Sequence, residues 1–383
     1  MIESWILNEL FQDLTDPFLI MALVLVVIHF GTPLAYYWYA KTQWLPKPWN
    51  IRVDGNYRPK VTVIVPTYNE AGFIEKKLDN VYQQDYPRDK VEVIVVDSAS
   101  NDGTPEKVKQ WSMKHPDFHV KLVQEPVRRG MAHALRTGFS YVKGDVVVIT
   151  DADAIWEDPD TLKEVVKWLS CKGVGAVSCI KVPYRSKGFE ETYRQYYNVL
   201  RVAESRAWST PIFHGELSAF KKEFLEKVGG FPLGVGSAES LAAMKIAALG
   251  YRAITPDTIT VSELIPQSNY VWWRIRRAQH LILHLVKTLR YLKHYNSSFK
   301  QVVLMEAYFH LINPWLFITG AVLLLYATLA LRSILSLIFL ALGLVLLPIR
   351  LYRVWITNQL FLVVAQLRNL WRKELVWSKQ KKL

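Results

Sequence analysis

The chain has 383 residues, 51% of them hydrophobic, and its 47 basic and 34 acidic side chains leave a net charge of +13. That length suits one ordinary globular domain with appended segments. Cys171 and Cys179 form no recognisable framework, which excludes a disulfide-stapled module, and the apolar residues gather near both ends, which assigns the basicity to a membrane and not to nucleic acid.

Residues 1–17 carry Glu3, Glu9, Asp13 and Asp16 and no Lys or Arg. Residues 18–40 are almost uncharged and long enough to cross a bilayer, which takes roughly 20 apolar residues. This stretch is too long, and what precedes it too acidic, for a cleaved signal peptide. Lys41, Lys47, Arg52, Arg58 and Lys60 follow it. Positive charge stays on the cytoplasmic side, so the N-terminus is expected outside the cell membrane and the domain 41–265 in the cytoplasm.

Within that domain, β-branched runs at 61–65, 91–96, 120–124 and 146–150 alternate with helical periodicity at 70–82, 104–114 and 131–142. Such alternation predicts right-handed βαβ units and a parallel, doubly wound sheet, with function in the loops after the strands' carboxyl ends. Each of those loops is polar. The first reads Pro66-Thr-Tyr-Asn-Glu70, the second Asp97-Ser-Ala-Ser-Asn-Asp102-Gly-Thr, and the fourth strand ends in Asp151-Ala-Asp153. Two carboxylates at i, i+2 form an oxygen site for Mg²⁺ or Mn²⁺, ions that accompany phosphate-bearing substrates. The triplet alone reads equally well as a turn cap beside a solvated acid. Three polar loops converging on one sheet edge favour the site.

Further along, Phe189, Tyr193, Tyr196, Tyr197, Leu200 and Trp208 fall near helical spacing and read as packing, not as a sugar platform. Residues 266–300 read as an interfacial helix, with Trp272 and Trp273 beside Arg274, Arg276 and Arg277. His280 and His284 share a helix face, but without an acidic partner motif they read as structural. Residues 302–331 and 334–349 are two more spans, joined at Arg332 and Ser333. Three crossings return the C-terminus to the cytoplasm. There 350–383 forms an amphipathic helix and a tail bearing Arg372, Lys373, Lys379, Lys381 and Lys382.

Taken together and in order, several motifs resemble those of inverting family 2 glycosyltransferases: Val-Ile-Val-Pro-Thr-Tyr-Asn-Glu at 63–70, Val-Val-Asp-Ser-Ala-Ser-Asn-Asp-Gly-Thr at 95–104, Asp-Ala-Asp at 151–153, Gly229-Gly-Phe231 and Gly250-Tyr251-Arg252. With its flanking spans the chain is similar to the branch containing hyaluronan, chitin and cellulose synthases. The resemblance implies an α/β GT-A (Rossmann-like) catalytic domain flanked by transmembrane and amphipathic interface helices. It also implies metal-dependent transfer from a nucleoside-diphosphate sugar, with UDP the expected carrier, to a lipid-linked or saccharide acceptor. Pro66, Tyr68, Glu70 and Asp97 would line the nucleotide pocket, Asp97 accepting a hydrogen bond from the base. Asp151 would lie near the ribose or diphosphate, and Asp153 would hold the metal. Phe213-His-Gly215-Glu-Leu-Ser-Ala-Phe220 matches the acceptor loop, where Gly215 permits close backbone approach and His214 or Glu216 touches the acceptor.

Three departures matter. Met131 stands where the family has a lysine, so charge near the diphosphate falls to Arg128 or Arg129, which read equally well as solvated loop arginines. Ala238-Glu239 stands where an acid pair is usual before Gly250-Tyr251, which makes Glu239 the candidate base, or else a Glu favoured by the helix dipole in a first turn. Arg274-Ile-Arg276-Arg277-Ala278 stands where the synthases carry Gln-x-x-Arg-Trp. Arg277 is read as the retained arginine and, with Arg274, as a clamp on the diphosphate. Loss of the tryptophan, and too few spans for a channel, point to one or few transfers unless a homo-oligomer forms. Trp377-Ser-Lys379 loosely resembles a C-terminal motif of the synthases. Two other readings stay open. One is a polyisoprenyl-phosphate glycosyltransferase, whose ionised acceptor needs no base. The other is a degenerate nucleotide-binding scaffold subunit.

Overall fold

Uncharged Val and Ile runs can bury both faces, and such strands build the centre of a sheet. The computed structural model describes residues 13, 15–185 and 188–376. Its strands are β1 Val61–Thr67, β2 Val91–Ser98, β3 His119–Glu125, β4 Val146–Ile149, β5 Val174–Ser178, β6 Ile180–Pro183, β7 Ser218–Lys221, β8 Arg252–Ile254 and β9 Thr260–Glu263. Seven of them form one sheet in the order β3-β2-β1-β4-β7-β5-β8, and β6 pairs with β9 in a separate ribbon.

β1 runs parallel to β2 and β4, and β2 to β3, as the alternation predicts. The expected all-parallel sheet fails at β7, which lies antiparallel to both β4 and β5. The cause is where the chain enters: Ser218 sits opposite Ile149, at the carboxyl end of β4, so β7 can only run back down the sheet. That reversal holds the preceding loop, with Gly215 and Glu216, against the Asp151 turn. The sheet separates two apolar layers. One contains the helices Met131–Phe139 and Ala238–Ala248, and the other Ile74–Tyr82, Thr104–Lys114 and Thr161–Leu169. Gly138 allows the first of these onto β1, since a Cβ there would stand 2.7 Å from Ile64 Cγ2.

Among the described residues, two helices are long and apolar enough to cross a membrane, Pro17–Trp44 and Ser297–Leu329. They pack side by side where Gly320 meets Val26 and the Ala22 carbonyl, a small residue admitting close backbone approach. The segment expected as a third span is the helix Ile334–Val345, bent by 105° from Arg350–Trp371. Its 12 residues reach about 18 Å, short of a hydrocarbon core of about 30 Å. Its start is tied to the beginning of the first span, where Leu335 N donates to Asp13 Oδ2 at 2.9 Å. Beyond the bend, Arg350 donates to the Gly188 carbonyl and Trp355 Nε1 to His29 Nε2. Arg350–Trp371 then packs on Tyr270–Thr288 through Leu362, Ile275 and Ile282, so the two helices expected at the membrane surface lie against each other. The motif at Trp377 to Lys379, the last tail lysines and the first acidic residues lie outside the described residues.

Candidate active site

Chain reversals at the carboxyl ends of β1, β2 and β4 set the first wall of the site. Asn69 adopts φ 57°, and the loop after β1 is stitched to the loop after β2: Ser100 Oγ accepts from Asn69 N, Asn69 Oδ1 from Asn101 N, and Thr104 Oγ1 from Glu70 N. Asp97 is 1% exposed. One carboxylate oxygen accepts from Ser100 N at 3.0 Å, the other from Ser100 Oγ and Thr67 Oγ1. These contacts make it the organiser of a turn, and it is not on the cleft wall. Pro66, Tyr68, Glu70, Asp151 and Asp153 are, in a cleft of about 240 Å³.

The Asp151 turn is closed by Ala154 N donating to the Asp151 carbonyl and by Asp151 N donating to the Gly215 carbonyl. A Cβ on Gly215 would lie 3.4 Å from both Asp151 carboxylate oxygens and 3.2 Å from Met131 Cε, so the loop passes in contact with the turn. Beneath the turn sits Lys77, 1% exposed and 4.8 Å from the Trp156 ring centroid. Burial lowers its ammonium to about 7, against the pull of the Asp153 and Asp151 charges. Its one mark in the sequence is its place on the apolar stripe of Ile74, Leu78 and Val81, where a lysine breaks the amphipathic pattern.

The donor set suits a hard divalent ion. Two carboxylates plus substrate phosphate oxygens are what Mg²⁺ or Mn²⁺ ordinarily takes, and among the described residues no third His, Cys, Asp or Glu joins them. Cations stand across the cleft. Arg128 lies 3.7 Å over the Tyr68 ring, in the region where Met131 leaves a lysine missing. Arg276 is on the wall as well, its guanidinium pushed down to about 10 by burial and then by Arg277. Residues 372–376 cross the rim, with Glu374 O 2.8 Å from His280 Nε2 and Leu375 O placed 2.8 Å from a Cβ at Gly130. His284 Nε2 pairs instead with the Pro211 carbonyl, so the two histidines serve separate contacts.

The arginines expected to clamp a diphosphate behave differently. Arg274 is drawn away to Glu190 at 3.1 Å and Asn358 at 2.8 Å, and does not line this cleft. Arg277 reaches the cleft but is bound to Glu263, and it lies 3.5 Å from Glu216. Lys181, with no exposed surface, holds the same two glutamates at 2.9 and 3.4 Å. Glu216 is therefore a member of a buried ion network, not a free acceptor ligand. Arg276, one residue before the arginine singled out by sequence, lines the cleft as well. Helix docking decides which carboxylates each arginine meets, and no motif alignment reports that docking.

A second cavity of about 130 Å³ lies behind the first. Gly215, Ser237, Glu239 and Arg277 line both. Glu239 opens the helix Ala238–Ala248, is 6% exposed, and its Oε2 has no hydrogen-bond partner. Burial first, with the Asp151 and Glu216 charges adding, raises its carboxyl to about 8. His214 is half-buried on the rear cavity, kept neutral by burial and by Lys181, Arg194 and Arg277. Tyr193 and Tyr197 line this cavity, while Tyr196 stacks on Tyr37 at 4.9 Å, so the aromatic stripe is partly packing and partly wall.

A mixed sheet with an acidic turn at the carboxyl end of β4, joined to a second cavity by a buried carboxyl, defines a GT-A glycosyltransferase. The model "Glycosyl transferase family 2" matches residues 62–229 and "Glycosyl transferase family group 2" residues 146–353. The chain belongs to glycosyltransferase family 2. It is 54% identical to the solved mannosyltransferase PcManGT from Pyrobaculum calidifontis in complex with GDP-Man and Mn²⁺, covering 92% of this chain and 99% of that one with a TM-score of 0.87. It is 26% identical to the probable glycosyltransferase YdaM of Bacillus subtilis over 69% of this chain, and the match spans 64% of that protein's length. It is also 36% identical to the dolichol-phosphate mannosyltransferase of Pyrococcus furiosus, over 28% of this chain and 29% of that protein.

Proposed function

We propose that the protein transfers mannose from GDP-mannose, with Mn²⁺ or Mg²⁺, to a hydroxyl of a lipid-linked saccharide at the cytoplasmic face of the cell membrane, inverting the anomeric centre. The 54% identity to a mannosyltransferase holding GDP-Man and Mn²⁺ supports guanosine over the uridine carrier expected from sequence. The observation that carries the reaction type is Glu239 at the neck between the two cavities, where a base must stand if donor and acceptor arrive from opposite sides.

In this reading Asp153, aided by Asp151, holds the metal, which when bound neutralises the diphosphate of the leaving group. Tyr68 and Pro66 flank the nucleotide. Arg128 and Arg276, not Arg274 and Arg277, offer guanidinium donors to the phosphate oxygens. Asp97 keeps the base-side loop in shape through Ser100. Glu239 accepts the proton of the acceptor hydroxyl as that oxygen bonds to the sugar's C1, and the C1–oxygen bond to GDP breaks on the opposite face. The full chain in detergent, given Mn²⁺ and a panel of sugar nucleotides, tests this. GDP-mannose should bind and turn over with added acceptor, and preferential use of a UDP-sugar would sink the donor assignment. Glu239→Gln then distinguishes a hydroxyl from a phosphate nucleophile, which would need no base.

A further inference from the structure

The rear cavity carries more positive charge than hydroxyl recognition requires. Lys181, Arg194, Arg274 and Arg277 form one linked network with Glu190, Glu216 and Glu263, so four cations face three carboxylates. Three of those cations, the arginines, line the cavity; Arg201 lines it too but is paired with Glu204 and Glu306 and adds no surplus charge. The Nε atoms of Arg194 and Arg274 are buried without a hydrogen-bond partner, on side chains 8% and 5% exposed. A buried guanidinium donor left unmade is destabilising unless a water or an anion completes it, and a cluster holding uncompensated positive charge favours the anion.

Two other features narrow the ligand. His310 Nδ1 lies 2.8 Å from the Glu306 carbonyl, so it donates there and leaves Nε2 as a lone-pair acceptor; that atom is buried and without a partner. It suits a hydroxyl and not an anion. The remaining wall includes Ala278, Leu281 and Leu362, from the two interface helices whose outer surfaces expose Trp272, Leu367, Leu370 and Trp371. Anion donors, a hydroxyl acceptor and an apolar exit thus occur in one cavity whose neck is Glu239.

We propose that this cavity binds the acceptor by a phosphate or diphosphate adjoining its saccharide, with Arg194 and Arg274 as the anion seat. The reacting hydroxyl lies at Glu239, and the hydrocarbon leaves along the helices Tyr270–Thr288 and Arg350–Trp371. This rests on the mannosyl-transfer reading and adds the acceptor's chemical class.

The test uses the full chain in nanodiscs with GDP-mannose, Mn²⁺ and four acceptors: a polyisoprenyl-diphosphate-linked sugar, the same sugar as its 1-phosphate, the same sugar as a neutral alkyl glycoside, and polyisoprenyl phosphate without sugar. The diphosphate-linked sugar should exceed the neutral glycoside in kcat/KM by a hundredfold or so, and Arg274→Gln should cut that ratio at least tenfold. Arg194→Lys, which keeps the charge but removes Nε, should lower the ratio less; because the ratio is internal to each variant, a general loss of folded protein does not move it. Transfer to the 1-phosphate with a comparable preference would place the recognition in the phosphate alone, and transfer only to the lipid-borne form would add the hydrocarbon; both support the anion seat. Equal use of the neutral glycoside, an unchanged ratio in Arg274→Gln, or mannosylation of bare polyisoprenyl phosphate would overturn it. Mn²⁺-dependent GDP-mannose binding, measured alongside by calorimetry, separates failure of this inference from failure of the donor reading.

Discussion

The cleft at the Asp151 turn and the rear cavity meet at one carboxyl, yet they are built in opposite ways. The cleft is mostly strand-end loops, each a short contiguous motif: residues 66–70 and 151–153 reach it directly, and 97–104 braces it. The rear cavity is assembled from helix faces far apart in sequence, with Arg194, Arg274, His310 and Asn358 on four different helices. Strand ends place side chains by local geometry, whereas helix faces place them only when the helices dock. The cleft should therefore answer to substitution as chemistry, and the rear wall as chemistry mixed with stability.

The sharpest break in that contrast is Asp153→Asn. It should lower transfer by about a thousandfold or more, as expected when several kcal/mol of charge neutralisation is lost, with Mn²⁺ binding by electron paramagnetic resonance weakened in step and the unfolding midpoint little changed. Glu239→Gln should lower kcat by about 10²- to 10⁴-fold while GDP-mannose still binds. A carboxyl raised to about 8 is mostly protonated at neutral pH, so wild-type kcat/KM for acceptor should rise roughly tenfold per unit below that value and flatten above it. That limb should vanish in Glu239→Gln. Because the native state keeps a proton that the unfolded chain releases near 4.5, this group's contribution to stability falls as pH climbs from there to about 8. A flat pH–rate profile would remove Glu239 from the base role.

The rear wall is tested by Lys181→Met. Two buried glutamates lose a partner, so stability should fall by about 3–5 kcal/mol, read from denaturant unfolding in detergent. An unchanged midpoint would mean that the network is hydrated and not sealed. The smallest effect concerns Arg128→Gln, which should raise the KM for GDP-mannose by roughly tenfold, the scale of one charge-assisted hydrogen bond, and leave acceptor KM in place. A shift in acceptor KM instead would show that the two sides are not separable.

Much of this was legible beforehand, and the reasons differ by residue. Asp151 and Asp153 announce themselves because an apolar run must end where a polar pair begins. β1 to β4 begin within a residue of where β-branched runs predict, and three helices end or begin as their periodicity requires. β7 was not legible: four residues can pair either way, and the direction follows from the loop that delivers them. Asp97 looked like a ligand by motif but spends its oxygens on Ser100 and Thr67. Arg274 and Arg277 looked like a clamp, yet Glu190 of the helix Phe189–Ala207, Glu263 of β9 and Glu216 of the loop before β7 claim them.

By itself, the sequence determined the strand-end chemistry, the apolar spans and the family, because each rests on residues adjacent in the chain. Only the tertiary structure decided which carboxylates claim Arg274 and Arg277, that Glu239 lines two cavities, and that four cations gather behind it. Those facts depend on helix phase and docking, and a linear order of residues fixes neither until the helices pack.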